Sequence, residues 1–270
     1  MNKLTILIIL IIIGGFFWYQ QKEPAVIEID LPAAQEYQDF SFRQAQDLAT
    51  TTLDVAQEIE VIEEEVDLGV EEKKETEEIV PPAAINLALP FTSQAPTANW
   101  EQPFQDASEE ASVLMVDYYY QNKIMPDPVE TENILTEMVD WQIANWGDHH
   151  NLTMQELATF VTTTFGYQTE LIPDLTADKI REYLQLGQPV IVPADGHRLD
   201  NPYFSGDGPE YHMLVVKGYQ DDYFITNDPG TKRGTNFVYT TENLFASIAE
   251  WNQKESRTTG PKVGLVLLPD

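Results

Sequence analysis

The chain has 270 residues, a formal charge of −30 and no cysteine. Its length gives room for one sizeable domain with flanking segments. The charge excludes nucleic acid as a partner, because no basic patch could release counterions from phosphates. The missing thiols exclude disulfides, thiolate metal sites and a cysteine nucleophile.

In chain order, "MNKLTILIILIIIGGFFWYQ" comes first: Lys3, then an apolar run over residues 4–19 that ends in Trp18 and Tyr19. A membrane span needs about 20 apolar residues, and aromatic residues suit the bilayer interface. The bulky stretch "GGFFWYQQKEP" offers no small-x-small cleavage site. Residues 1–22 therefore read as an uncleaved anchor in the lipid bilayer, making the protein single-pass, with Lys3 cytoplasmic and the rest of the chain extracytoplasmic. A secreted form released by signal cleavage is the alternative. Residues 23–82 read as an acidic stalk, largely disordered or partly helical. Between Glu23 and Val80 there are 18 acidic and 3 basic residues. The densest part, "VIEEEVDLGVEEKKETEEIVPP", repels itself too strongly to build a core.

Residues 83–270 hold most of the tryptophans and tyrosines and read as the folded domain. "INLALPF" predicts a short strand. Asp106 is expected to cap a helix running to about Gln121, with Ala107, Ala111, Leu114, Met115 and Tyr118 on one face. Further helices are expected over about 130–145, from the Thr153–Glu156 capping box to Gly166, and from the Thr176 cap to Gly187. The pattern then changes to strands in "QPVIVPA", "YHMLVVKGY", "DYFITNDPG" and "KVGLVLLP". A hairpin is expected around Gln220–Asp222 and a helix in "TENLFASIAEW". Helices first and strands later predict an α+β domain with an antiparallel sheet.

Four residues in this order could carry chemistry: Gln94 in a loop, Ser108 at a helix start, His212 on a strand and Asp228 at the end of the next strand. Singly, Ser108, His212 and Asp228 each have an ordinary reading, as a helix-start serine, a strand histidine and a turn aspartate. Together, "LPFTSQAPTANWEQPFQDASEEASVLM", "YHMLVVKGY" and "YFITNDPGTKRG" resemble the papain-like peptidase family C thirty-nine-like, relatives of the double-glycine leader peptidases. The resemblance covers about residues 85–269. It implies a papain-like fold, a peptide or protein substrate, and no metal or organic cofactor. It also implies Gln94 as a donor to the oxyanion, Ser108 at the nucleophile position, His212 as base and Asp228 as the residue that orients His212.

The family has a cysteine where this chain has Ser108. A thiol with a pKa of about 8.5 can be held as a thiolate by a helix start and an imidazolium, whereas a hydroxyl must lose its proton during attack to a close base. Three readings stay open: a degenerate site that still binds peptides, a serine hydrolase, and an engineered or erroneous replacement of an original cysteine. From other classes come a non-catalytic peptide or cell-envelope binding module and a structural envelope protein with a vestigial cleft. The overall negative charge favours basic ligands, a preference screened by salt. "WGDHHNLT" reads as a loop, because adjacent His149 and His150 do not easily converge on one ion. Asn151 opens an Asn-Leu-Thr sequon. His197 lies in the polar loop "DGHRLDNPYFSGDG", which reads as surface with the option of lining a cleft.

Overall fold

The computed structural model describes residues 26–40 and 82–269. The expected anchor over residues 1–22 and most of the expected stalk lie outside the described residues. Among the described residues, no helix is long and apolar enough to cross a membrane.

The helices are α1 (Ser108–Tyr120), α2 (Pro128–Trp146), α3 (Met154–Phe165), α4 (Ala177–Gln185), the single turn α5 (Gly196–Leu199) and α6 (Thr241–Ser247). The strands are β1 (Ala84–Asn86), β2 (Gln168–Pro173), β3 (Val190–Ala194), β4 (His212–Gln220), β5 (Tyr223–Asn227), β6 (Phe237–Thr240), β7 (Trp251–Asn252), β8 (Arg257–Thr258) and β9 (Val263–Leu268). The main sheet is antiparallel in the order β2-β9-β3-β4-β5-β6, with β1 added on β4, while β7 and β8 pair separately. The domain is thus α+β with an antiparallel sheet, and β2 and β6 join the five strands read from the sequence.

Local chemistry sets the helix ends. Glu156 N–H donates to Thr153 Oγ1 at 3.3 Å and Thr153 N–H donates to Glu156 Oε2 at 2.8 Å, closing the capping box of α3. Thr176 Oγ1 accepts from Lys179 N–H at 3.1 Å and starts α4. Asp127 caps α2 with a proline at its first position. Asp106 does not cap α1. It ends a 3-10 turn, Phe104–Asp106, and its carboxylate accepts from Gln102 Nε2 instead. Ala107 stands at the N-cap position with no side-chain cap, so α1 begins with bare amides.

Helix α1 is buried along residues 108–117 and packs on β4. Ala111, Val113, Leu114, Met115 and Val116 clothe most of its circumference, the pattern of a helix enclosed on all sides. Each fully buried Leu or Met contributes roughly 1.5–3 kcal/mol. Strand β4 pairs through residues 212–216 with β3 and through 218–220 with β1 on one edge, and through 215–220 with β5 on the other, with a bulge between Val216 and Gly218. His212 therefore sits at the end of β4 that β5 leaves uncovered.

Part of the segment read as stalk packs on the domain. Gln35 N–H donates to Asn86 O and Ala88 N–H to Gln35 O, both at 2.8 Å, adding a parallel bridge beside β1. Tyr37 stacks edge-on against Tyr119 and Tyr120 at 5.8 and 4.8 Å. Phe40 is buried over Gly187, where a Cβ would come within 2.5 Å of its ring. Acidic composition placed these residues outside the domain, but their aromatic side chains bring them onto it.

Candidate active site

Three of the four candidate side chains meet at the N-terminal end of α1. His212, on the first residue of β4, has its Nε2 2.7 Å from Asp228 Oδ1, and both residues are fully buried. Asp228 follows β5, in a turn made by Pro229 and Gly230. Its Oδ2 accepts from Tyr239 Oη at 2.6 Å and from Asn201 Nδ2 at 3.0 Å, and Gly230 N–H donates to Oδ1 at 2.9 Å. Burial alone would raise Asp228, but His212 and these donors outweigh it and hold the carboxyl below its ordinary value. Burial and the charge of Asp228 push Tyr239 well above the usual phenol range, so it stays a donor.

Ser108 reaches the same place from the other side. Met213 N–H, adjacent to His212, donates to Ser108 Oγ at 3.2 Å. The hydroxyl itself donates to Glu109 Oε2 at 2.8 Å. Among the described residues, Nδ1 of His212 has no hydrogen-bond partner. Glu109 is buried, and its Oε1 accepts from Leu152 N–H at 3.1 Å. Desolvation first and the charge of Glu110 second raise Glu109 to about 8, against the opposing bonds from Ser108 and Leu152. Glu110 in turn accepts from Gln142 Nε2 and lies 3.2 Å from His149 Nε2.

Gln94 is placed beside the site but is otherwise engaged. Its N–H donates to Pro229 O at 2.9 Å, and its Nε2 donates to Phe104 O and Gln105 O at 3.1 and 2.7 Å. Both amide hydrogens are thus used in tying its own loop to the turn before α1, and Oε1 is buried without a partner among the described residues. The donors left for a developing oxyanion are the uncapped first-turn amides of α1.

Gln94, Ser108, Glu109 and His212 line a cleft of about 820 Å³ with Trp100, Tyr203, Phe204 and Tyr211 as its aromatic walls and Lys232 and Arg233 on one loop. The Phe204 ring stands edge-on to His212 at 5.3 Å. Asn151 lines the cleft. His197 does not; it is 43% exposed, within 3.6 Å of Asp195 and Glu210. His149 and His150 turn to different acids, Glu110 and Asp148, and among the described residues no three ligating side chains converge on a metal position.

Sequence reasoning missed Glu109, Asn201 and Tyr239. The only signal available for Glu109 was an acidic residue inside the "SEEAS" run, where the surrounding small and apolar residues announce burial. Asn201 and Tyr239 carry no local signal, because they reach Asp228 from a loop and from β6.

Comparison with known proteins supplies one match by sequence: the model described as Peptidase_C39 like family fits residues 87–258. No curated protein matches the chain. Among solved structures, the chain is similar to a protein from Bacillus anthracis designated a C39-like peptidase, at 13% identity and a TM-score of 0.43, covering 68% of this chain and 96% of that one. It is also similar to the peptidase domain of Streptococcus ComA, a bifunctional ABC transporter involved in a quorum-sensing pathway, at 16% identity and a TM-score of 0.32, covering 62% and 93%.

Proposed function

The chain belongs to the Peptidase_C39 like family, and from that premise we propose that its domain is a degenerate peptidase, binding peptides in the Ser108 cleft and hydrolysing them weakly or not at all. The observation that carries this reading is the pair of groups bound to Ser108 Oγ. Met213 N–H donates to it, and Glu109 Oε2 lies 2.8 Å away. With its carboxyl raised to about 8, Glu109 is mostly protonated at neutral pH and can donate as well. Two donors and the bare start of α1 form a cradle for an anion. A thiolate is stabilised by such a cradle. A hydroxyl, far weaker as an acid, is not ionised by it, and its hydrogen is already given to Glu109.

In the weak reaction that remains, His212 takes the Ser108 proton during attack and returns it to the leaving amine, while Asp228 holds the imidazole. The oxyanion is met by the first-turn amides of α1. The apolar run at residues 4–19 supports a bilayer anchor with the domain outside the cytoplasm.

The test is Ser108→Cys. We expect the variant to cleave peptides from a mixed library far faster than the parent chain, which should also stay unlabelled by a fluorophosphonate. Rapid labelling of Ser108 in the parent would establish a working serine hydrolase instead. A cysteine variant that binds peptides without cutting them would leave the plain binding module.

A further inference from the structure

The loop after β5 brings Lys232 and Arg233 to the cleft. Both are exposed, and among the described residues neither side chain has an acidic partner. This is unusual in a chain with 45 acidic and 15 basic residues. Arg233 is held in place without a counter-ion. Its guanidinium lies 4.8 Å from the centre of the Tyr203 ring, which is itself packed edge-on against Phe237 at 6.0 Å, and its backbone N–H donates to Thr231 Oγ1 at 3.2 Å. The acidic groups lining the same cleft are Asp106, which accepts from Gln102, and Glu109, which is buried and bonded to Ser108 and Leu152. Among the described residues the cleft thus offers two cations against the single exposed carboxylate of Asp106.

We propose that Lys232 and Arg233 receive a peptide carboxylate, so that the cleft selects peptides bearing an acidic side chain or a free C-terminal carboxylate. The proposal rests on the peptide-binding reading above. A guanidinium held over an aromatic ring offers a carboxylate two parallel N–H donors. Trp100 and Phe204, lining the same cleft, reduce the water that would screen the pair. The repulsion from the net charge acts at long range and falls off over about 8 Å at physiological salt, whereas this contact is local. The cleft thus opposes the preference for basic ligands that total charge suggests.

Binding of fluorescent peptides to the full chain, followed by anisotropy, tests this. The panel holds one sequence in four forms: blocked ends with Glu, with Gln or with Lys at the variable positions, and the Gln form with a free C-terminal carboxylate. We expect the Glu form, the free-carboxylate form or both to bind roughly five- to tenfold tighter than the blocked Gln form, the scale of two partly exposed ion pairs. Whichever form gains identifies the source of the carboxylate. Lys232→Gln with Arg233→Gln should abolish the gain, so that the Glu, free-carboxylate and blocked Gln forms bind alike, and both positions are exposed enough for the fold to persist. Equal binding of all forms, tighter binding of the Lys form, or a gain that survives the double substitution overturns the proposal while leaving peptide binding intact. Failure of every form to bind overturns the peptide-binding reading and this inference with it.

Discussion

Glu109 shows how one buried carboxyl can govern its neighbours. It touches Ser108 and Leu152, and Glu110 follows it in the chain. Its folded value of about 8 lies above the ordinary 4.5, so the native state holds an extra proton between those two pH values. Stability therefore falls as pH rises from about 4.5 to about 8, and the loss is complete above that. Glu109→Gln removes this titration. The variant should melt close to the parent at pH values near the lower limit and higher than the parent above the upper one, as followed by thermal denaturation across pH. The same residue shapes activity in the Ser108→Cys chain. Above about 8, Glu109 changes from a donor to an anion facing the thiolate, so peptidase activity should decline through that value, and the added Glu109→Gln should remove the decline. Ser108, His212 and Asp228 were legible in the sequence only as an ordered set. Glu109 was not, because its partners come from the stretch before α3 as well as from its own helix.

The elements differ in how openly they announce themselves. Helix α3 carries its start and stop in its own residues, Thr153, Glu156 and Gly166. Strand β2, "QTELIP", fully buries only Ile172, with Thr169 and Leu171 half-buried, and exists because β9 pairs with it along its length. Lys217, inside the apolar run of β4, suggests a solvent-facing position, yet it is buried between Asn86 Oδ1 and Asn236 Oδ1 at 2.6 and 2.7 Å. The turn after β5 depends on contacts that no local pattern reveals. Asp228 N–H donates to Gly234 O at 2.9 Å, and a Cβ on Gly234 would fall 1.7 Å from Asp228 O. Backbone faces backbone there, so the clash has no flexible side chain to absorb it. Gly234→Ala should cost several kcal/mol and displace Asp228 from His212, which denaturant unfolding and the lost activity of the Ser108→Cys chain would register.

For the molecule as a whole, the boundary of the domain is a question of packing rather than composition. Residues 32–40 lie in an acidic stretch, yet Asn86 Nδ2 donates to Pro32 O at 3.0 Å and Phe40 is 4% exposed. Phe40→Ala should destabilise the domain by about 3–5 kcal/mol if its burial resembles that of a core phenylalanine, read as a lower midpoint in denaturant unfolding. A midpoint unchanged from the parent would show that this segment rests on the domain without stabilising it.

The amino-acid sequence by itself determined the class of the fold, most helix ends, the strands rich in β-branched residues and the ordered set Gln94, Ser108, His212 and Asp228, since periodicity, caps and motifs are written within short stretches of chain. Tertiary structure alone decided that α1 starts uncapped, that the Gln94 amide is spent on Phe104 and Gln105, that Glu109 backs Ser108, and that Lys232 and Arg233 face the cleft. Each of these joins residues distant in the chain or depends on what water has been excluded, and neither distance in space nor desolvation is encoded at any single position.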